Sequence, residues 1–426
     1  MAHADVALEN HAFDRPAAAA PARAGSAAAV GDLALTVHYE LAAAETAWRE
    51  LQARGSCTVF QTFEWLSAWQ RHIGARLGVT PCIVVARDNK NDVLCILPLA
   101  VQRAGLAREL TWLGSELCDY NAPLLGDSVA ERLDPAAFKA MWARIVATLQ
   151  ADARSRHDLV RLGKMPPLVG AVRNPMLGLP VNLNPSGSYI TPLSGNWDDF
   201  YKAKRSSGTR RRDRSKRNHL AESGEVRLVS AENADDALAT LATLVEQKSA
   251  TFARHGINNL FARPGYLDFY RELAGNPAMR DMVHISRLDV GAEAAATNLG
   301  LVFGGRYYHV LASYTSGPLA HWGPGAAHLN DLLRYAIERG LTAFDFTIGD
   351  ERYKRDWCED VQLLHDHVAV TGWRGALVAG PAMLGARVKR TIKQTPMLWA
   401  LVVKGRAFAA TLRAAKTAPA AQGDQE

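Results

Sequence analysis

From Met282 to Arg339 the chain reads as three strands, a glycine-rich loop and a helix in direct succession, and this order constrains the rest. Apolar and polar residues alternate with turns at Gly291 and Gly304-Gly305, which predicts an antiparallel meander. Its last strand ends at Ser313-Tyr314 and feeds the loop His321-Trp322-Gly323-Pro324-Gly325-Ala326, which opens a helix. A helix N-terminus offers unpaired N–H groups and a partial positive charge, and glycine lets a phosphate approach the backbone. Such a loop can hold a diphosphate without a lysine. It is not a nucleoside-triphosphate loop, because G-x-x-x-x-G-K-[ST] is absent, and His328 interrupts a G-x-G-x-x-G dinucleotide fingerprint.

The same kind of order occurs earlier. Helical periodicity over 41–53 and 59–74 precedes two apolar strands around the turn Asp88–Asp92, then a strand near 110, a helix near 136–153 and a strand ending at Pro166. With 426 residues, two or three domains are expected. The predicted fold class is α+β (mixed α/β), with two tandem units of antiparallel-rich sheets flanked by helices. The expected division is a disordered Ala/Pro-rich leader (1–31), a first unit (32–187), a second unit (188–375) and a basic, Ala-rich C-terminal helix or tail (376–426). The strand containing His365 and His367 is expected to close the second unit. Asp5, Glu9 and Asp14 break the pattern of a secretory signal, so a cytoplasmic protein is expected. Five widely spaced cysteines without a C-x-x-C pair predict reduced, mostly buried thiols.

Four stretches carry a family resemblance: VFQTFEWLSAWQRHIG with the later ILPL, TWLGSELCDYNAPLL, RRRDRSKRNHL followed by SGEVRL, and AFDFTIGDERYKRDW after a helix ending in Gly340. Over about residues 35–375 the chain resembles the GNAT acyltransferase superfamily. It is most similar to the CelD/BcsL-type acetyltransferases associated with cellulose and exopolysaccharide synthesis. The resemblance implies two GNAT-like halves, as in the Fem-type peptidoglycan aminoacyltransferases, with catalysis in the second. It implies acetyl-coenzyme A, or another acyl-coenzyme A, held at Gly323, Gly325 and Ala326, with His321 and Lys354 completing the candidate set. One position departs from the family loop: Ala320 stands where a Gln or Arg is usual.

Acyl transfer from a thioester needs a base for the attacking group, donors at the developing oxyanion and an acid for the departing thiolate. Asp345, Asp350 or Glu351 is the candidate base, with His309 as an alternative, and Tyr353 or Tyr314 is the candidate acid. Direct attack is expected, since no cysteine or serine sits in a recognisable nucleophile setting. Asp119, Tyr120 and Asn121 are candidates for binding a sugar or amine acceptor between the halves, and Arg211 for an anionic part of the substrate. Residues 202–218 hold nine Lys/Arg and one Asp, suiting phosphates or a membrane surface. Aromatics do not interleave with these charges, which disfavours RNA as a partner, and no DNA is expected. Two other readings remain at this stage: a Fem-like transferase using aminoacyl-tRNA, and an inactive module contacting a polysaccharide synthase or the inner membrane. His365 and His367 share a strand face but lack a third ligand at fixed spacing, so no metal is expected.

Overall fold

A computed structural model describes residues 33–381 and 385. The expected leader and nearly all of the expected C-terminal helix lie outside the described residues. The first half contains β1 (Ala34–His38), α1 (Leu41–Arg54), α2 (Phe63–Trp69), β2 (Thr80–Arg87), β3 (Val93–Ala104), β4 (Ala107–Trp112) and β5 (Leu124–Leu125). It continues with α3 (Val129–Arg132), α4 (Pro135–Ala151), β6 (Leu159–Met165), β7 (Leu168–Val169), β8 (Val172–Arg173) and β9 (Val181–Leu183). The second half starts with β10 (Ser188–Pro192), α5 (Trp197–Lys204), α6 (Ser207–Ala221), β11 (Val226–Ser230), α7 (Ala234–Arg254) and α8 (Tyr266–Gly275). Then follow β12 (Val283–Val290), β13 (Glu293–Phe303), β14 (Arg306–Tyr314), α9 (Pro324–Glu338), β15 (Ala343–Ile348), β16 (Val361–Gln362) and β17 (His365–Val370).

The two sheets share a ground plan. One runs β1-β2-β3-β4-β6-β17-β9, with β5 on β3, and the other runs β11-β12-β13-β14-β15-β10-β16. In each, a strand and a helix pair precede an antiparallel meander, and a helix then leads to a strand parallel to the meander's last member. The fold is therefore two tandem GNAT-like units in a mixed α/β chain.

The units exchange strands. β10, which follows the first half, pairs with β15 of the second sheet, and β17 pairs with β6 and β9 of the first. The strand expected to close the second unit thus completes the first sheet. Each backbone edge needs a partner; β10 already occupies the edge of β15, and β6 is the edge left open.

One core crosses the seam between the halves. Phe60 and Trp65 of the first meet Tyr308 and Phe269 of the second edge-to-face, with ring centroids 5.9 and 5.0 Å apart. Aromatic burial of this kind typically contributes about 3–5 kcal/mol per side chain when tested by truncation to alanine. The four helical residues Phe63, Trp65, Leu66 and Trp69 are buried in this core, so Trp65 and Trp69 are packing groups. The cysteines are free, with Cys82, Cys95, Cys118 and Cys358 buried. No helix among the described residues is long and apolar enough to cross a membrane.

Candidate active site

β14 and β15 run parallel and pair only at Arg306–Tyr308 against Ala343–Asp345. Beyond that point they part. A register shift places Val310 as an extra residue between the Leu299–Leu311 and Gly300–His309 pairs, which bends β14 away from its neighbour. β15 bends as well: Thr347 has φ of 60°, a costly conformation for a β-branched residue. The Asp345 carboxylate accepts the Thr347 N–H at 2.8 Å and holds this kink. Thr347 Oγ1 reaches the His309 carbonyl at 3.4 Å.

The gap opens into a cavity of about 490 Å³. It is lined by the loop residues Ala320, Gly323, Gly325 and Ala326, with Tyr314 against Gly325, and by Lys248, His309, Glu351 and Tyr353. Gly323 is the N-cap of α9 at φ of 67°, and it brings no capping side chain. A side chain on Gly325 would begin 3.0 Å from the Tyr314 ring, which would have to give by a few tenths of an ångström. The main-chain donors are fewer than expected. Pro324 has no N–H, Gly323 donates to Ala320 O, and Ala326 donates to Gly323 O at 3.1 Å. Gly325 keeps the one N–H of this turn without a partner among the described residues. Ala326 therefore lines the cavity without offering its amide.

A cation missing from the loop's own sequence comes from α6. Lys216 brings its ammonium to 3.7 Å from where a Gly323 side chain would begin, and His219 stacks on Trp322 at 4.0 Å between ring centroids. α6 is anchored there by Ser206 at its N-cap and by the pair from Arg217 to Asp331 of α9, at 2.9 Å. The basic run is thus a wall of the loop as well as a solvated face. His321 is exposed, packs edge-on to Trp322 and lies away from the cavity lining. Arg211 is exposed on α6.

The cluster expected at Asp345–Lys354 separates into three places. Asp345 points to the opposite face of β15, toward the first half, where it is fully buried. Its carboxylate accepts from Tyr120 at 2.7 Å and faces Arg306 at 3.3 Å. Burial raises its pKa to about 6 against the pull of Arg306, Tyr120 and the Thr347 N–H. Strand alternation explains this: Phe344 and Phe346 take the cavity side, so Asp345 must take the other. Lys354 is buried and occupied, donating to Ile348 O at 2.9 Å and pairing with Glu351 at 3.0 Å. Glu351 and Tyr353 line the cavity, whereas Asp350 does not. The Tyr353 hydroxyl is pushed up by burial and by Glu351.

His309 is buried against Phe344 and Phe346 on the cavity side. Burial, Lys354 and Lys248 bring its pKa down to about 3, so it is neutral at physiological pH. Lys248 is the group that sequence reasoning missed. It is carried by α7, donates to Ala312 O at 3.0 Å, and is lowered by burial. Only its position in a long amphipathic helix marks it in the sequence, which does not distinguish it from a surface lysine.

The acceptor candidates lie at the seam. Tyr120 is buried, and Asn121 is used internally, donating to Gly163 O at 3.0 Å. Asp119 is raised by burial and sits within the field of Lys164 and Lys354. A second cavity of about 600 Å³ between the halves is lined by Arg49, Gln52, Thr58, Tyr120, Arg306 and Gln362, among others.

Residues 207–355, which span α6 to the end of this site, match the model of the acetyltransferase (GNAT) domain. No curated protein matches the chain in sequence. Among solved structures, FemX is similar at a TM-score of 0.53 and 10% identity, covering 78% of this chain and 96% of its own. A conserved protein of unknown function from Bacteroides thetaiotaomicron is similar at 0.50 and 11% identity, covering 79% and 100%. These likenesses establish the fold. With the domain match lying over the loop and the gap, the chain is an acyltransferase whose second half carries a GNAT acetyltransferase domain.

Proposed function

We propose that the protein transfers an acyl group, acetyl in the first instance, from coenzyme A directly to an amine or hydroxyl of a sugar or polysaccharide precursor. One observation carries this reading: a single cavity joins an uncapped glycine loop to a gap between two parallel strands. The residues present suit the donor. The Gly325 N–H has no partner among the described residues, and the Lys216 ammonium lies 3.7 Å from where a Gly323 side chain would begin. Both suit a phosphate at the start of α9, with Lys216 standing in for the side chain that Ala320 lacks.

In the transfer, the acceptor's lone pair forms the new bond to the acyl carbon while the C–S bond breaks and its electron pair leaves on sulfur. Glu351, ion-paired to Lys354 and exposed at the cavity wall, takes the acceptor's proton. Tyr314 returns a proton to the thiolate. Tyr353 is less suited, since a raised pKa makes its proton harder to give. The acceptor meets the acyl group in the cavity that Glu351 and Tyr314 line; the polar cavity between the halves shares none of its lining residues and lies on the Asp345 side of β15. A role in cellulose or exopolysaccharide synthesis follows from the same family resemblance.

Titration of the full chain with acetyl-coenzyme A tests this reading. Binding is expected, and it is expected to vanish in Gly325→Val. No affinity in the wild type, or equal affinity in the variant, removes the donor assignment. The Fem-like alternative draws support from the exposed Arg211, Arg212 and Arg214 of α6. It requires salt-dependent RNA binding that neutralising these three abolishes.

A further inference from the structure

A chain of buried polar groups ends at His309, and the polarity of each of its bonds can be worked out from two backbone groups. Asn298 on β13 is fully buried. On one side it meets the Gly300 N–H, which can only donate; on the other it meets the Leu311 carbonyl, which can only accept. Its amide oxygen must therefore face Gly300, at 3.1 Å, and its NH2 must face Leu311 O, at 3.2 Å. In that orientation the second amide hydrogen points at His309 Nε2, 3.2 Å away. His309 Nε2 is then an acceptor, and the proton of a neutral imidazole resides on Nδ1.

The rest of the chain agrees. The Tyr307 hydroxyl, 2.7 Å from Asn298, gives its hydrogen to the amide oxygen and so must accept from His284 Nδ1 at 2.9 Å. His284 Nε2 then accepts from Ser230 at 2.9 Å. Both histidines are depressed by burial, to about 4 for His284 and about 3 for His309, so each carries the single proton that this pattern requires. His309 Nδ1 has no partner among the described residues, and the ring lines the cavity where β14 and β15 part.

We propose that Asn298 is a positioning residue that locks His309 in its Nδ1–H form, and that this N–H donates to the carbonyl oxygen of the thioester as negative charge develops there. The proposal rests on the acyl-transfer reading above. His309 is a poor base in this setting, because the groups that surround it resist its protonation. The rings of Phe344 and Phe346 pack on it, and the ammonium groups of Lys248 and Lys354 act on it. A neutral imidazole held in one tautomer is instead a fixed dipole, which needs no reorganisation when the oxyanion forms.

Nitrogen NMR on the full chain labelled with 15N-histidine reads the tautomer directly, with the His309 signals assigned by their loss in His309→Gln. At pH 7.5 the wild type is expected to show a protonated Nδ1 and a bare Nε2. An Nε2–H or doubly protonated ring overturns the proposal, whatever any variant does. Asn298→Asp can only accept at this position, so it should move the proton to Nε2. It should also lower kcat on the order of 100-fold, as loss of one oxyanion donor does, with little change in KM for acetyl-coenzyme A. The second probe is the inert ketone analogue acetonyl-coenzyme A, 13C-labelled at its carbonyl. Its resonance should move downfield on binding, and the displacement should disappear in His309→Phe. If the analogue binds without that displacement, or keeps it in His309→Phe, the donor role falls alone. If it does not bind, the acyl-transfer reading falls and the donor role falls with it.

Discussion

The two halves place the same elements at the same points and treat them oppositely. In the first, α4 follows the meander with Asp134 at its N-cap, whose carboxylate accepts from the N–H groups of Ala136 and Ala137 at 2.8 and 2.7 Å. In the second, α9 follows with Gly323 at its N-cap and no capping side chain. An N-terminus that has satisfied its donors and brought its own negative charge cannot take an anion, whereas one without a cap can. The strand gaps differ in the same sense. The loop after β4 lies across the first gap: Asn121 N donates to Lys164 O at 3.1 Å, and Lys164 Nζ donates to Ser115 O and Cys118 O at 2.9 and 2.8 Å. Past Tyr308 and Asp345 the second gap is crossed by the Thr347 hydroxyl and opens into the cavity. Both parallel strands kink at a non-glycine residue with φ of 60°, Lys164 and Thr347, and both kinked N–H groups donate to a carboxylate. The first unit is a sealed copy of the second.

Moving the seal from one unit to the other should have the largest effect. Gly323→Asp places a carboxylate where α4 has one, and aspartate is among the residues best tolerated at a positive φ. Like-charge juxtaposition with a diphosphate costs several kcal/mol, so acetyl-coenzyme A affinity should fall on the order of 100-fold or more. Calorimetry on a variant with an unchanged circular dichroism spectrum would measure this. Undiminished affinity would mean that the open cap is not what separates the halves.

The loop that closes the first gap also sends Tyr120 to Asp345, so the seam has its own pH dependence. Asp345 has a folded pKa of about 6, above the ordinary carboxylate value, so between the two values the folded state binds more protons than the unfolded chain. Its favourable contribution is present below about pH 4 and is lost as pH rises through about 6. Asp345→Asn removes this loss while leaving an oxygen for Tyr120 and the Thr347 N–H. The variant should therefore gain stability relative to the wild type on going from pH 4 to pH 7, by roughly 3 kcal/mol at most. Denaturant melts at the two pH values check the sign. A constant difference would show that Arg306 keeps the carboxylate ionised throughout.

Lys216 sharpens the contrast at the loop itself, because among the described residues the first half has no counterpart of α6. A charge-assisted contact contributes about 1.5–3 kcal/mol, so Lys216→Ala should weaken acetyl-coenzyme A binding about tenfold or somewhat more. The deficit should narrow as salt is raised, since this ammonium is exposed and screened. A deficit independent of salt would point to lost packing of α6 rather than lost charge.

Much of this contrast was open to a reader of the sequence. The meander and the loop-to-helix junction follow from local signals, namely alternation, glycine turns and Pro324 at a helix start, and each unit repeats them. What local signals cannot carry is partnership. Nothing in His365–Val370 says that β17 crosses to the first sheet, because that depends on which edge is left free once β10 has docked. The same holds for the site. Gly323, Gly325, Tyr314, Glu351 and Tyr353 stand together because they follow one another along a strand, a loop and a turn. Asp345 left that group through strand alternation, a rule that could have been applied to Phe344 and Phe346 beforehand. Lys216, Lys248 and Asn298 reach the site from other elements, and their spacing in the chain holds no trace of it.

The smallest effect belongs to the sealed cap, and it tests whether sealing is all that Asp134 does. Its carboxylate satisfies two N–H groups at the start of α4, and that helix buries Phe138, Met141, Trp142, Ile145 and Leu149 against the first sheet. Asp134→Ala should cost about 1 kcal/mol of stability, the ordinary value of a lost N-cap, seen as a lowered denaturant midpoint with an unchanged slope. Acetyl-coenzyme A affinity and stoichiometry should stay as in the wild type. Uncapping alone does not open the first gap, which Lys164 and Asn121 still close from the other side. A second equivalent of acetyl-coenzyme A bound by this variant would show that a single carboxylate had kept the first half from acting as the second does.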